Sequence, residues 1–289
     1  MVSSSNEPAE PADESAAGGL VRVRLELSYD GTDFAGWAVQ PGLRTVQGLV
    51  QDALATVLRR PVAVTVAGRT DAGVHASGQV AHLDVPEPIW ATEGGRLAHR
   101  LNRILAADVR VRAARAVPAE FDARFGALWR RYEYLICDGV PDPRLRRHVL
   151  SWPRRLDEVA MAAAATELLG LHDFAAYCKP RDTGTTIRTL QALDVVRRGE
   201  LITCTVRADA FCHSMVRSLV GALIAVGEGR KQPSWPAAQL PRAERASASV
   251  APAHGLTLVE VRYPADDELG ARTAQTRATR SVRSGPAPS

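Results

Sequence analysis

An element order of β-α-β-β-α-β that occurs twice in succession is the feature that most constrains this chain. Val21, Val23, Leu25 and Leu27 alternate with Arg22, Arg24, Glu26 and Ser28, the period of a half-buried strand. From Val46 the apolar positions take helical spacing (Val46, Leu49, Val50, Ala53, Leu54, Val57, Leu58), with Thr45 placed to cap and Pro61 past the end. Strands over 62–66, 79–85 and 109–117 and a helix over 96–105 complete the first unit. The second repeats it. A strand covers 132–137 and an alanine-rich helix 156–169, with Asp157 in its first turn. A hairpin pairs 190–196 with 201–206 across Arg198-Gly199, and a helix over 211–226 and a strand over 256–263 follow. The pattern predicts an α+β protein of two tandem ferredoxin-like halves, residues 20–120 and 121–265, meeting near 120–126. Each half is expected to be an antiparallel sheet with helices on one face. The uncovered faces are left to form a cleft, a dimer surface or an RNA platform.

The length of 289 residues suits two such units. No run approaches the roughly 18 apolar residues of a membrane span. The N-terminus has neither the basic start nor the apolar core of a signal peptide, and its acidity argues against a transit peptide. Residues 1–19 and 266–289 are rich in small and polar residues and read as disordered tails. The first tail carries Glu7, Glu10, Asp13 and Glu14 without a base, so the net charge of +4 conceals a more basic body. Its bases are nearly all arginine, which suits a polyanionic partner. Cys137, Cys178, Cys204 and Cys212 show no CxxC spacing and read as reduced thiols of a cytoplasmic protein. His75, His82 and His213 have no cluster or cysteine partner that would make them metal ligands. Phe34 and Trp37 read as core aromatics more readily than as stacking platforms for RNA.

The most unusual segment is Gly68-Arg69-Thr70-Asp71-Ala72-Gly73-Val74-His75, in the loop between the second and third strands. Its glycines permit tight backbone paths and close approach by a ligand. An arginine beside a carboxylate keeps it ionised, and an ionised carboxylate in a protected loop serves as nucleophile or base. On residue chemistry alone, a surface turn with Asp71 as a cap and Arg69 solvated explains the segment equally well.

The loop and four further segments resemble the tRNA pseudouridine synthase A (TruA) family. Gly68 to Ala76 is similar to its signature, and Tyr29-Asp30-Gly31-Thr32-Asp33-Phe34-Ala35-Gly36-Trp37 to its first-strand motif. Thr45-Val46-Gln47 resembles the start of its first helix. Phe121-Asp122-Ala123-Arg124-Phe125 with Arg131-Tyr132-Glu133-Tyr134 resembles the start of its second half, and Ala210 to Arg217 followed by Gly221 its late helix. The similarity runs in order from about Val21 to about Pro264. It implies the pseudouridine synthase fold and the isomerisation of uridine to pseudouridine in the anticodon stem-loop of tRNA, at positions 38, 39 and 40. It also implies a homodimer that accepts one tRNA across both subunits, with neither metal nor organic cofactor. The family's aspartate falls on Asp71 as nucleophile or base, and its loop arginine on Arg69. Its active-site tyrosine falls on Tyr132, as a ring for the target base or a proton relay, and its late-helix arginine on Arg217 as a partner for Asp71. Ala38 stands where the family usually has glutamine and Ser214 where a second histidine is frequent, departures expected not to touch the aspartate and to bear on RNA contacts instead of chemistry.

Three other functions compete. A non-catalytic RNA-binding protein on the same scaffold would read bases with exposed sheet aromatics, but aromatic residues make up only 5% of the chain. A nucleoside hydrolase would need paired carboxylates or a metal site. A zinc deaminase would need His-x-Glu and Pro-Cys-x-x-Cys patterns, which the sequence lacks.

Overall fold

The computed structural model describes residues 19–179, 185–242, 246 and 249–277. The expected β-α-β-β-α-β order runs through both halves with unexpected additions, a further helix in the first and two short strands in the second, and the halves share one sheet. In the first half, strand β1 (Leu20–Tyr29) buries Val23, Leu25, Leu27 and Tyr29 on one face. Helix α1 (Val46–Leu58) begins where the Thr45 side chain accepts from the Gly48 amide, at 3.3 Å. Strands β2 (Thr65–Val66) and β3 (His75–Pro86), helices α2 (Glu87–Glu93) and α3 (Leu97–Ile104) and strand β4 (Val109–Val117) complete it. The second half comprises β5 (Trp129–Cys137), β6 (Leu150–Ser151), α4 (Glu158–Thr166), β7 (Gly170–Asp173), β8 (Ile187–Arg198), β9 (Leu201–Ala208), α5 (Met215–Gly227) and β10 (Leu256–Arg262). Asp157 caps α4 by accepting from the Val159 and Ala160 amides, so it precedes the helix instead of lying in its first turn.

The strands run β4-β1-β3-β10-β5-β9-β8-β7, with β2 on β3 and β6 on β5, in a continuous ten-stranded sheet. The sequence suggests two separate sheets; in the structure they fuse edge to edge. The seam is the short parallel pairing of β10 with β3, Thr257 opposite His75 and Leu258 opposite Ala76. The expected strand over 79–85 starts earlier, at His75, because its first residues are ordered by this pairing across the halves. One cluster of buried apolar residues runs through both halves.

Polar groups reinforce the seam. The buried Arg130 guanidinium of β5 donates to the carbonyls of Ala67 (2.7 Å), Arg124 (2.6 Å) and Asp209 (2.7 Å). These belong to the first half, the connector and the second half. His75 accepts from the Gly31 amide at Nδ1 (2.9 Å) and its Nε2 faces the carbonyls of Arg147 (2.8 Å) and His254 (3.1 Å). His82 accepts from the Ala123 amide at Nδ1, 3.0 Å.

Residues 266–277 depart from the disorder expected of the C-terminal tail. A turn over Asp266–Glu268 leads into helix α6 (Leu269–Arg277). The helix forms because Leu269 finds a buried seat, 1% exposed, and because Arg272 donates to the Ala127 carbonyl through Nε (3.3 Å) and Nη2 (3.1 Å). Residues 1–18 and 278–289, the rest of the expected tails, lie outside the described residues. No helix among the described residues is long and apolar enough to cross a membrane.

Two stability effects are expected. Arg130→Leu orphans three buried carbonyls at about 1–3 kcal/mol each, so denaturant titration should show a loss of at least about 3 kcal/mol. Burial, then the charge of His148 or Arg22, holds His75 and His82 below the ordinary histidine value of 6.5. The unfolded chain therefore takes up these protons first. Stability is complete above about pH 6.5 and falls as the pH drops below it. Melting temperatures measured between about pH 7.5 and 5 should show this fall, with a smaller fall in His82→Gln.

Candidate active site

The loop after β2 is held from beneath before any substrate arrives. Gln79, fully buried on β3, donates to the Gly68 carbonyl (2.8 Å) and to the Tyr29 hydroxyl (3.2 Å). The Tyr29 hydroxyl also shares a hydrogen bond with Thr70 Oγ1, 2.8 Å away. Burial pushes the Tyr29 phenol up to about 12, so its proton stays in place at neutral pH. The Thr70 carbonyl accepts from the Trp37 amide (3.0 Å), and the Gly73 amide donates to Phe34 (3.3 Å). Gly73 turns with a φ of 76°, and a Cβ on Gly31 would meet the Val74 carbonyl oxygen at 2.0 Å. Only glycine lets the two segments approach so closely. Phe34 and Trp37 are core residues, 3% and 1% exposed.

Asp71 emerges from this braced loop with its side chain 24% exposed. Its Oδ1 lies 3.2 Å from His213 Nε2, and its Oδ2 lies 3.2 Å from Ser214 Oγ and 3.6 Å from Arg217 Nη1. The first half thus supplies the carboxylate, and the start of α5 in the second half supplies its donors. Arg217 is itself fixed by donating from Nε to the Ala251 carbonyl at 2.7 Å. Arg69 is exposed on the same cleft, whereas the Arg217 guanidinium and the His213 ring lie beside Asp71. Arg217, more than Arg69, supplies the charge that the loop chemistry calls for.

Tyr132 projects from β5 into the cleft wall, its ring edge-to-face with Phe211 at 5.1 Å and 85°. Burial, with the charges of Tyr29 and Asp71 adding, pushes its phenol well above the ordinary tyrosine range. It is therefore a proton donor or a packing surface at neutral pH, not a phenolate. The cleft encloses about 1190 Å³, more than the roughly 300–1,000 Å³ of sites for drug-sized ligands. Arg69, Arg124, Arg188 and Arg217 line it with Asp71 and Asp209. The Asp209 carboxylate accepts from the Thr189 (3.1 Å) and Ala210 (2.6 Å) amides, which turns the chain into the cleft.

Sequence reasoning places Asp71, Tyr132 and Arg217 where the structure gathers them, but misses His213 and Ser214 as partners of Asp71. It extends the late helix back to 211, whereas α5 starts at Met215. Ser214 takes a left-handed φ of 63°, which breaks the helix and leaves 211–214 as a loop that presents both side chains. The expectation of reduced thiols holds for Cys137 and Cys204, which are free and buried, but Cys178 and Cys212 form a disulfide. Their segments are adjacent because the Lys179 amide donates to the His213 carbonyl, 2.9 Å. Contrary to the expectation that His75 has no cluster, the fold brings Asp30, His75 and His148 within ligand distance of one another. His75 already spends both ring nitrogens on backbone groups, so the trio knits loops together and needs no ion.

The chain is similar to proteins of known identity. A family model described as tRNA pseudouridine synthase matches residues 164–264. The tRNA pseudouridine synthase A of Frankia casuarinae is 60% identical over 94% of this chain and 98% of its own length. That of Streptomyces griseus is 54% identical over 93% and 97%, and that of Mycobacterium leprae 51% identical over 90% and 96%. A carboxylate at the floor of a basic cleft, shared by two fused halves, thus belongs to a chain of the tRNA pseudouridine synthase A family, an isomerase that acts on tRNA.

Proposed function

We propose that the protein converts uridine to pseudouridine at positions 38, 39 and 40 of the tRNA anticodon stem-loop, with Asp71 as the nucleophile or base. The observation that carries this reading is the position of Asp71, partly exposed in the cleft and faced by His213, Ser214 and Arg217. A uridine stacked in a stem must first leave the stack, at a cost of a few kcal/mol. The cleft volume accommodates a flipped nucleotide with its flanking backbone. Isomerisation breaks the N-glycosidic bond, turns the uracil, joins its C5 to the ribose, and gives up the C5 proton while N1, freed from the ribose, takes one up. Asp71 acts through its carboxylate, whose two oxygens face His213, Ser214 and Arg217. The Tyr132 ring offers a surface for the base, and its protonated hydroxyl a donor to the turning uracil. Arg69 and Arg217 hold phosphate or base in register. The residues assigned to the reaction perform it without metal or organic cofactor. The protein works in the cytoplasm as a homodimer, one tRNA lying across both copies.

The test uses an unmodified tRNA transcript with purified protein, followed by carbodiimide labelling and primer extension. Stops at 38 to 40 are expected with wild type and not with Asp71→Ala, whose binding of tRNA and melting temperature stay close to wild type. Near-normal turnover by Asp71→Ala would remove the catalytic assignment. Wild type that binds tRNA tightly but yields no stops would make the protein a non-catalytic RNA binder.

Graded effects are expected around Asp71. Tyr132→Phe keeps the ring contact with Phe211 and loses the donor, so single-turnover rates should fall about 100-fold while tRNA affinity holds. Ser214→Ala and His213→Gln should each slow the chemical step about tenfold, the loss of one hydrogen bond to a charged group.

A further inference from the structure

The bridge between Cys178 and Cys212 ends next to the active-site donors. Cys212 immediately precedes His213 and Ser214, whose side chains face the two oxygens of Asp71. The bridge joins residues 34 apart in the chain, with Cα atoms at 5.7 Å, an ordinary separation for a disulfide. Its two ends differ in support. The Cys178 end is firmly seated: Cys178 is 2% exposed, and a turn over Ala175–Tyr177 leads into it. There the Tyr177 hydroxyl donates to the Pro236 carbonyl (2.7 Å), and the Ala176 carbonyl accepts from the Ala246 amide (2.8 Å). The Cys212 end is irregular, half-buried chain on the cleft wall, from Phe211 to Ser214. Ser214 holds a left-handed φ of 63°, which a residue with a Cβ keeps only where its surroundings enforce it. The disulfide and the bond from the Lys179 amide to the His213 carbonyl (2.9 Å) are part of those surroundings.

We infer that Cys178 and Cys212 form a thiol–disulfide switch: bridged, they hold His213 and Ser214 against Asp71; reduced, they release both donors and slow the reaction. This rests on the reading of Asp71 as the reacting group. The reductant is a small thiol that enters by the cleft, because Cys212 lines the cleft whereas Cys178 is buried. Its thiolate attacks Cys212 Sγ, the S–S bond breaks, and the electron pair leaves on Cys178 Sγ, which takes a proton. A second thiolate attacks the small thiol's sulfur in the mixed disulfide. Cys212 then leaves as a thiolate and is protonated, and a small-molecule disulfide departs. Two small thiols are thus oxidised as the protein gains two electrons and two protons, and the small disulfide drives the reverse. Two thiols cannot stay at bonding distance, so reduction makes one end give way. The end without regular structure is the one that bears His213 and Ser214. In a reducing compartment a disulfide is a sensor more often than a staple.

The test equilibrates the full chain in graded ratios of reduced to oxidised glutathione, with excess dithiothreitol as the fully reduced end point. Acid quenching, unfolding and maleimide alkylation count the thiols, two in the bridged chain and four in the reduced one. The same samples give the single-turnover rate on an unmodified tRNA transcript, the tRNA affinity, and amide exchange over 211–217 by mass spectrometry. The rate should follow the bridged fraction and fall about tenfold on reduction, the weight of one hydrogen bond to a charged group. Affinity should hold, and exchange over 211–214 should quicken. C178S/C212S should stay at the low rate at every ratio, with a cooperative melt that shows it folded. Rates and exchange equal in the two states would overturn the switch, as would four thiols at the oxidised end. A bridge that persists through the glutathione series and opens only in dithiothreitol would make it a staple and overturn the switch equally. Because thiol count and exchange are read without turnover, wild type that switches but never reacts would keep the switch and strike the isomerase reading alone.

Discussion

The Arg130 guanidinium is the interaction on which the site depends. It is buried, it stays charged at any accessible pH, and its partners are three carbonyls from three stretches of chain that no local interaction would bring together. An unmet charge at this depth would be severely unfavourable. The Ala67, Arg124 and Asp209 carbonyls therefore have to converge on it. Ala67 immediately precedes the loop that bears Asp71, and Asp209 immediately precedes the turn that bears His213 and Ser214. One desolvated cation thus fixes the distance between the carboxylate and its donors. The β3–β10 seam and the His75 bonds repeat the constraint a short way along the same junction.

This arrangement separates structural polar groups from chemical ones. Tyr29, Gln79, Thr70 and the Asp209 carboxylate are spent on backbone and on one another, so they hold the floor rigid. Asp71 faces solvent with donors of the second half on both its oxygens. A carboxylate so placed is held by its donors and remains reachable from the cleft.

Much of the fold was legible because local patterns were strong. The bounds of α1 follow from an apolar stripe and a threonine cap, and β1 shows itself by alternation. What escaped the pattern was set by tertiary contact. The first residues of β3 are strand through their pairing with β10. Apolar spacing is unbroken from Phe211 into α5, and only the left-handed Ser214 shows that the helix begins later. Helix α6 has one buried aliphatic anchor and a side-chain bond to a distant carbonyl, neither of which leaves a periodic trace. In the site, the loop around Asp71 is a dense local motif and stands out. His213 and Ser214 belong to the site by proximity across the halves, 142 and 143 residues from Asp71 in the chain. Their types alone gave no reason to pair them with it.

The fused sheet also explains why the chemistry falls at the junction and not on either open face. A ferredoxin-like half alone offers one sheet face and its loops, too shallow to exclude water from a carboxylate or to surround an extruded base. Joining two halves edge to edge makes the strand-end loops of both converge across the seam. The convergence yields one concave site with the reactive group on one wall and its electrostatic partners on the other. Neither wall is complete alone, so relative motion of the halves would separate Asp71 from Arg217 before it disturbed either core. Rigidity at the seam therefore keeps Asp71 beside Arg217. It accounts for placing the most heavily bonded buried cation there, although an apolar side chain would be easier to desolvate.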